Sequence, residues 1–255
     1  MKATLIIPFA LALCACSIVK ETGRKQVTWF PSDYMNQMGV SAYAEATSQY
    51  PEITSGPQYE MVQRIGRKIA IASGAQYDWE FKLLDAPTIV NAFALPGGKV
   101  AVYSGILQVT QNEDALAAVL GHEVAHATAN HGNERMTQNM IQGGALTALD
   151  IALAKWGEMD NSSRETWMSA IAAGADILAI KPYSRKHESE ADEIGLRYLI
   201  RAGYDPEEAP KLWERMAALN PDRGPTFTST HPDPLDRAKR LRELIPRFVQ
   251  EERGH

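Results

Sequence analysis

The chain has 255 residues, 45% of them hydrophobic and 22% charged, and its 26 Lys and Arg against 31 Asp and Glu give a net charge of −5. The acidic balance disfavours nucleic acid as a partner, and the apolar content suffices for one sizeable core. The 2 cysteines, Cys14 and Cys16, lie close to the N-terminus, so no disulfide is expected in the body of the protein.

The first element is a targeting segment. Met1-Lys2 is basic, Ala3 to Leu13 is an apolar run too short to cross a bilayer, and Leu13-Cys14-Ala15-Cys16 looks like a lipobox. Cys16 follows the small Ala15 and is the expected lipidation site, whereas Cys14 follows the bulky Leu13 and is the poorer one. An ordinary signal peptide cut nearby is the competing reading. Residues 1–15 are thus read as a lipoprotein signal, 16–30 as a lipidated tether and 31–255 as one domain. Loss of Lys2 with the signal takes the net charge to −6, and Ser17 in place of an Asp after the lipidated residue favours delivery to the periplasmic face of the outer membrane.

Pro31 to Thr47 predicts a helix with Ser32 as cap and Met35, Met38, Ala42 and Ala46 on one side; Pro57 to Ala72 predicts a second through Met61, Ile65 and Ile69. Three strands follow. Tyr77, Trp79, Phe81 and Leu83 alternate with polar residues, and Ile89, Asn91, Phe93 and Leu95 alternate with Val90, Ala92 and Ala94. After the Pro96-Gly97-Gly98 turn, Lys99 to Tyr103 makes the third strand. The layout is α+β: a mainly helical single domain with a small three-stranded sheet.

Residues 111 to 130 predict a buried helix. Thr110 and Glu113 have the spacing of a capping box, Leu116, Val119, Leu120 and Val124 form an apolar stripe, and Asn130-His131-Gly132 supplies a left-handed stop. This helix carries His122-Glu123-Val124-Ala125-His126. One helical turn is close to four residues, so His122 and His126 project from one face and can grip a single metal ion, with Glu123 beside them to take a proton from water. This is the zinc metallopeptidase signature. The competing reading, a chance pattern on a surface helix, is disfavoured by the apolar stripe.

Zinc needs a third protein ligand and an open position. His131 lies five residues after His126, about 500° round a helix and far from the ligand face, so it is expected at the helix end or behind a ligand. The alternative is a carboxylate on a later helix. Ser184 is a plausible cap for such a helix, and Glu188 and Asp192 share a face at i, i+4 spacing. Glu188 would reach the metal and Asp192 would accept a hydrogen bond from a ligand histidine. Glu190, Glu193 and His187 are expected on the solvated side. Between these helices, Met140 to Ile180 predicts two apolar helices around Asp160-Asn161-Ser162-Ser163; Asp150 and Asp176 interrupt them, so they are not membrane spans, and core helices are preferred to a membrane-resting flap. Asp205-Pro206 and Asp233-Pro234 open two final helices.

His122-Glu123-Val124-Ala125-His126, Glu188-Ser189-Glu190-Ala191-Asp192 and Asn91-Ala92-Phe93-Ala94-Leu95-Pro96-Gly97-Gly98, with Thr22-Gly23-Arg24 and Thr230-His231-Pro232, run from about residue 20 to about 240. On these motifs the chain resembles the HtpX/CAAX-prenyl-endopeptidase-like family of gluzincin metallopeptidases, and within it the soluble periplasmic lipoproteins that service outer-membrane proteins. The resemblance implies one zinc held by His122, His126 and Glu188, Asp192 as partner of a ligand, and Glu123 as general base. It also implies that the Asn91 to Pro96 strand lies beside the zinc, where Asn91, Ala92, Ala94, Leu95 and Pro96 would bind an extended or unfolded polypeptide substrate by strand addition. A relative's loop histidine suggests that His231 occupies the open zinc position as a gate; stabilising the oxyanion, or only tying down its loop, are the alternatives. Partners would be the membrane, through lipid on Cys16, and the outer-membrane protein assembly machinery. An assembly factor or chaperone with secondary proteolysis is the alternative function.

Overall fold

The computed structural model describes residues 16–142, 183–219, 231 and 234–253. The signal segment and most of the apolar stretch from Met140 to Ile180 lie outside the described residues. Among the described residues, no helix is long and apolar enough to cross a membrane.

The chain opens on a hairpin, β1 (Cys16–Ile18) against β2 (Lys25–Val27). The segment read as a tether is therefore folded over these residues, with Gln26 buried beneath it. Helix α1 (Ser32–Ser48) starts directly after Pro31, which fixes an extended entry; Ser32 is its first residue and makes no cap. Met35, Met38, Ala42 and Tyr43 form its buried side. Helix α2 (Pro57–Ser73) has Pro57 in its first turn, ends at the left-handed Gly74, and buries Val62, Ile65 and Ile69 completely.

The sheet has four strands in the order β3-β4-β6-β5: β3 (Glu52–Ile53), β4 (Glu80–Leu84), β5 (Ala92–Leu95) and β6 (Lys99–Tyr103). β4 and β6 are parallel and the outer pairs antiparallel. The three expected strands are present, two of them shorter than expected, and the two-residue β3 is added at the β4 edge. Tyr77 and Trp79 alternate like a strand, yet they pack as an aromatic row continued by Phe81, outside the ladder. The turn between β5 and β6 needs its glycines, because Gly97 and Gly98 both sit at positive φ, 81° and 84°.

The short α3 (Leu107–Thr110) ends at Gln111, whose φ of 62° breaks it from α4 (Glu113–Thr128). The capping-box expectation is corrected here. Thr110 turns back to the Leu107 carbonyl, Glu113 pairs with Arg64, and the cap is Asn112, whose Oδ1 accepts from the Ala115 N–H at 2.8 Å. α4 is buried on every side from Ala115 to Ala127 except at Ala118, so it runs through the core. Asn130, at φ 56°, provides the left-handed stop, and α5 (His131–Gln142) begins at once.

Helix α6 (Arg185–Arg201) is capped by Ser184 as expected, its side chain accepting from the His187 N–H. It crosses α4 at a pair of glycines. A Cβ on Gly121 would meet the Gly195 carbonyl oxygen at 2.9 Å, and one on Gly195 would meet the His122 nitrogen at 2.8 Å. α7 (Glu208–Ala217) and α8 (Pro234–Arg253) close the fold, with Leu212, Trp213, Leu241 and Phe248 in the same core as α4.

Candidate metal centre

The α4–α6 crossing brings the donors together. His122 and His126, one turn apart, turn their Nε2 atoms toward each other at 3.0 Å. Glu188 on α6 faces both, with one carboxylate oxygen 3.4 Å from His122 Nε2 and the other 3.6 Å from His126 Nε2. His231, from the stretch before α8, puts Nδ1 at 2.9 Å from Glu188 and 3.2 Å from His122 Nε2. One donor atom from each of these four buried residues lies within 4.8 Å of all the others. Five of the chain's 6 histidines meet in this one cluster.

The outward nitrogens are held as well. His122 Nδ1 lies 3.1 Å from Asp192 Oδ1, and His126 Nδ1 lies 2.9 Å from His131 Nδ1. With both rings anchored at Nδ1, their Nε2 lone pairs point at a carboxylate across a common centre. Two imidazole nitrogens and a carboxylate oxygen are the donor chemistry that a zinc ion takes. The residues present therefore fit a metal.

Glu123 is buried beside this centre. Its Oε1 has no hydrogen-bond partner, and His231 Nε2 stands 3.4 Å from it. Burial pushes its carboxyl up to about 8, with His122, Arg237 and a backbone hydrogen bond from Ala94 opposing the rise. Burial also holds His126 well below its usual range and brings His131 down to about 4, so both rings are neutral near pH 7. For Glu188, burial is outweighed by His231, His122 and Arg237, which keep the carboxyl well below its usual range.

The expected strand lies at the site. β5 is the outer strand of the sheet, and among the described residues no other strand pairs with its free edge. The Tyr103 N–H donates to the Asn91 carbonyl, so residues 91, 93 and 95 face β6, while the backbone groups of Ala92 and Ala94, both buried residues, face away from it. Ala92 N–H is held by the Asn91 side chain at 2.9 Å. Leu95 is core, and Pro96 lines a cleft with Ala94, His126 and Tyr183. Cys16 is exposed at the start of β1.

Two expectations about α6 are corrected. His187 is 1% exposed and bonds Glu134 at 3.0 Å. Glu190 is 6% exposed and bonds His131, Thr22 and Arg24. The face opposite Glu188 is covered by α5 and the N-terminal hairpin, so it is not solvated. His131 stands behind His126, as expected. Sequence reasoning missed Arg237, which grips Asp192 and lies 3.4 Å over the Trp213 ring, and Tyr183, stacked on His126 at 3.9 Å. A signal for Arg237 existed: it falls at helical spacing from the buried Leu241, Ile245 and Phe248.

The sequence pattern of peptidase family M48 matches residues 58–245. The chain belongs to peptidase family M48. All of His122, Glu123, His126, Glu188, Asp192, His231 and Arg237 lie within the M48 match, whereas the hairpin and Arg24 lie outside it. Among M48-like relatives, the mitochondrial metalloendopeptidase OMA1 of Schizosaccharomyces pombe is 37% identical over 221 residues, covering 84% of this chain and 62% of that protein. The protein of the same name from Arabidopsis thaliana is 39% identical over 163 residues, 64% of this chain and 31% of that one. The beta-barrel assembly-enhancing protease of Escherichia coli is 28% identical over 229 residues, 84% of this chain and 45% of that protein. The chain thus spans between 31% and 62% of the length of these three.

Proposed function

We propose that the protein is a zinc-dependent endopeptidase acting on extended or unfolded polypeptides. One observation carries this reading: two histidine Nε2 atoms and the Glu188 carboxylate converge beside a buried glutamate, Glu123, whose Oε1 makes no hydrogen bond and faces His231 Nε2 at 3.4 Å. His122, His126 and Glu188 would hold the ion. Zinc supplies, when bound, the Lewis acidity that brings a water's pKa to about 7 and polarises a carbonyl. Glu123 is the general base and then the acid, placed for it by its burial beside the donor atoms. Asp192 and Arg237 fix the His122 ring. The Ala92 and Ala94 backbone offers a strand template, and the Ala94 N–H already reaches Glu123. His231, at hydrogen-bond distance from Glu188, is a fourth donor that gates the centre until substrate displaces it.

The proposed setting is the periplasmic face of the outer membrane, with 1–15 as signal, lipid on Cys16, and 31–255 as the peptidase domain. The exposure of Cys16 and the name of the Escherichia coli relative support it. That relative's name also supports the second reading, assembly of outer-membrane proteins with proteolysis secondary.

Elemental analysis should find one zinc per chain, lost in His122→Ala, His126→Ala or Glu188→Ala. Glu123→Gln should keep zinc and lose peptide cleavage by about 10²–10⁴-fold. Full zinc in Glu188→Ala would sink the ligand set. Rescue of a deletion strain by Glu123→Gln would favour the assembly role. Fatty-acid labelling should mark the wild type and fail on Cys16→Ser; label that persists would move the site to Cys14 or defeat the idea.

A further inference from the structure

Arg24 joins the N-terminal hairpin to the metal centre. Its Nε donates to Glu190 Oε2 at 2.6 Å, while Nη1 and Nη2 donate to the two oxygens of Glu134 at 2.9 and 2.7 Å. Thr22 Oγ1 donates to the other oxygen of Glu190, Oε1, at 2.5 Å. One guanidinium fork thus ties α5, through Glu134, to α6, through Glu190.

Glu190 leads inward. Its Oε2 accepts from His131 Nε2 at 3.0 Å, and His131 Nδ1 meets His126 Nδ1 at 2.9 Å. A neutral imidazole has one donor and one acceptor. With Nε2–H given to Glu190, His131 Nδ1 accepts, so His126 donates from Nδ1 and keeps its Nε2 lone pair for the centre. The ring of His187, itself held by Glu134, stacks on His131 with centroids 4.6 Å apart. His131 is therefore fixed at both nitrogens and on one face.

We propose that Arg24 and Thr22 are positioning residues for the metal: by fixing Glu190 they set the tautomer and orientation of His131, and through it those of His126. The hairpin of residues 16–27 is then part of what holds the ion, although it lies outside the family match. His122 has Asp192 and Arg237 for this task; His126 has a longer chain that ends eight residues from Cys16. The inference rests on His122, His126 and Glu188 being the zinc-holding set. The competing role is a clamp that only joins α5 to α6.

The test is the zinc affinity of the full chain, read by competition with a chromophoric chelator, alongside the urea midpoint of the metal-stripped protein. Arg24→Gln and Glu190→Gln should each weaken zinc binding by about 10–100-fold, the range for groups that orient a ligand. The double variant should be no weaker than the worse single, because both break one chain. Arg24→Gln combined with Asp192→Asn, which acts on the other histidine, should multiply the losses. Arg24→Lys cannot fork to two carboxylates and should restore only part. Thr22→Val removes one hydrogen bond and no charge; it should weaken zinc several-fold, and it decides the matter where Arg24→Gln does not fold. Unchanged zinc affinity in a folded Arg24→Gln or Thr22→Val protein, with only the urea midpoint lowered, overturns the proposal in favour of the clamp. A wild-type chain that takes up no zinc overturns the ligand reading, and this inference with it.

Discussion

Arg237 donates to both oxygens of Asp192, from Nε at 2.7 Å and from Nη2 at 2.5 Å, and its Nη1 lies 3.0 Å from Glu188. One buried cation thus balances two buried carboxylates. Arg237→Met leaves both without it, and the metal-stripped protein should lose about 3–5 kcal/mol. Zinc would replace part of that charge, so the loss should be smaller in the loaded protein. Urea unfolding of both forms checks this; equal losses would mean that Arg237 acts only by packing on Trp213.

Acid should unfold the protein partly through Glu134. Burial pushes its carboxyl up, but hydrogen bonds from His187 and Arg24 outweigh that and bring it from 4.5 down to about 2. Between those values the unfolded chain binds the extra proton, so this contribution is present above pH 4.5 and is lost as pH falls toward 2. Glu134→Gln should lower stability near neutrality and flatten the acid limb by one proton. A limb of unchanged slope, from urea midpoints across that window, would refute the assignment.

Ala92→Pro probes the edge of β5 that no described strand pairs with. The lost N–H faces away from β6, so the ladder survives, as an edge position allows. That N–H is now held by the Asn91 side chain, and a substrate carbonyl that took the place of Asn91 Oδ1 would lose the contact, so KM for extended peptides should rise by about tenfold while kcat changes little. A kcat loss at constant KM would argue against strand addition.

His231→Ala separates gate from oxyanion donor. Its Nδ1 lies among the donor atoms, 2.9 Å from Glu188, which favours the gate. Basal turnover of a short peptide should therefore rise. A fall of about 10²-fold or more would identify an oxyanion donor instead.

What was legible in the sequence was what local periodicity encodes. His122 and His126 share a face by helix geometry alone, and Glu188 with Asp192 repeats that spacing on a capped helix. What depends on a second contacting element was not. Glu190 looks like a solvated residue until the hairpin covers it, and His187 until α5 does; Arg237 hides in a basic run, and β3 is two residues that exist only by pairing with Leu83 and Leu84. The capping box failed because Gln111 turns left-handed, a conformation that the apolar pattern does not report.

The contact of Gly121 with Gly195 leaves no room for a side chain between the helices it joins. Two donors ride on α4 and the third on α6, so neither helix owns a site; the site is the seam. A cation held there is a measure of how well the seam is closed, and closing it is what builds the core. On the proposed zinc reading, an ion that binds only the closed seam would add to the stability of the fold in proportion to the logarithm of its free concentration.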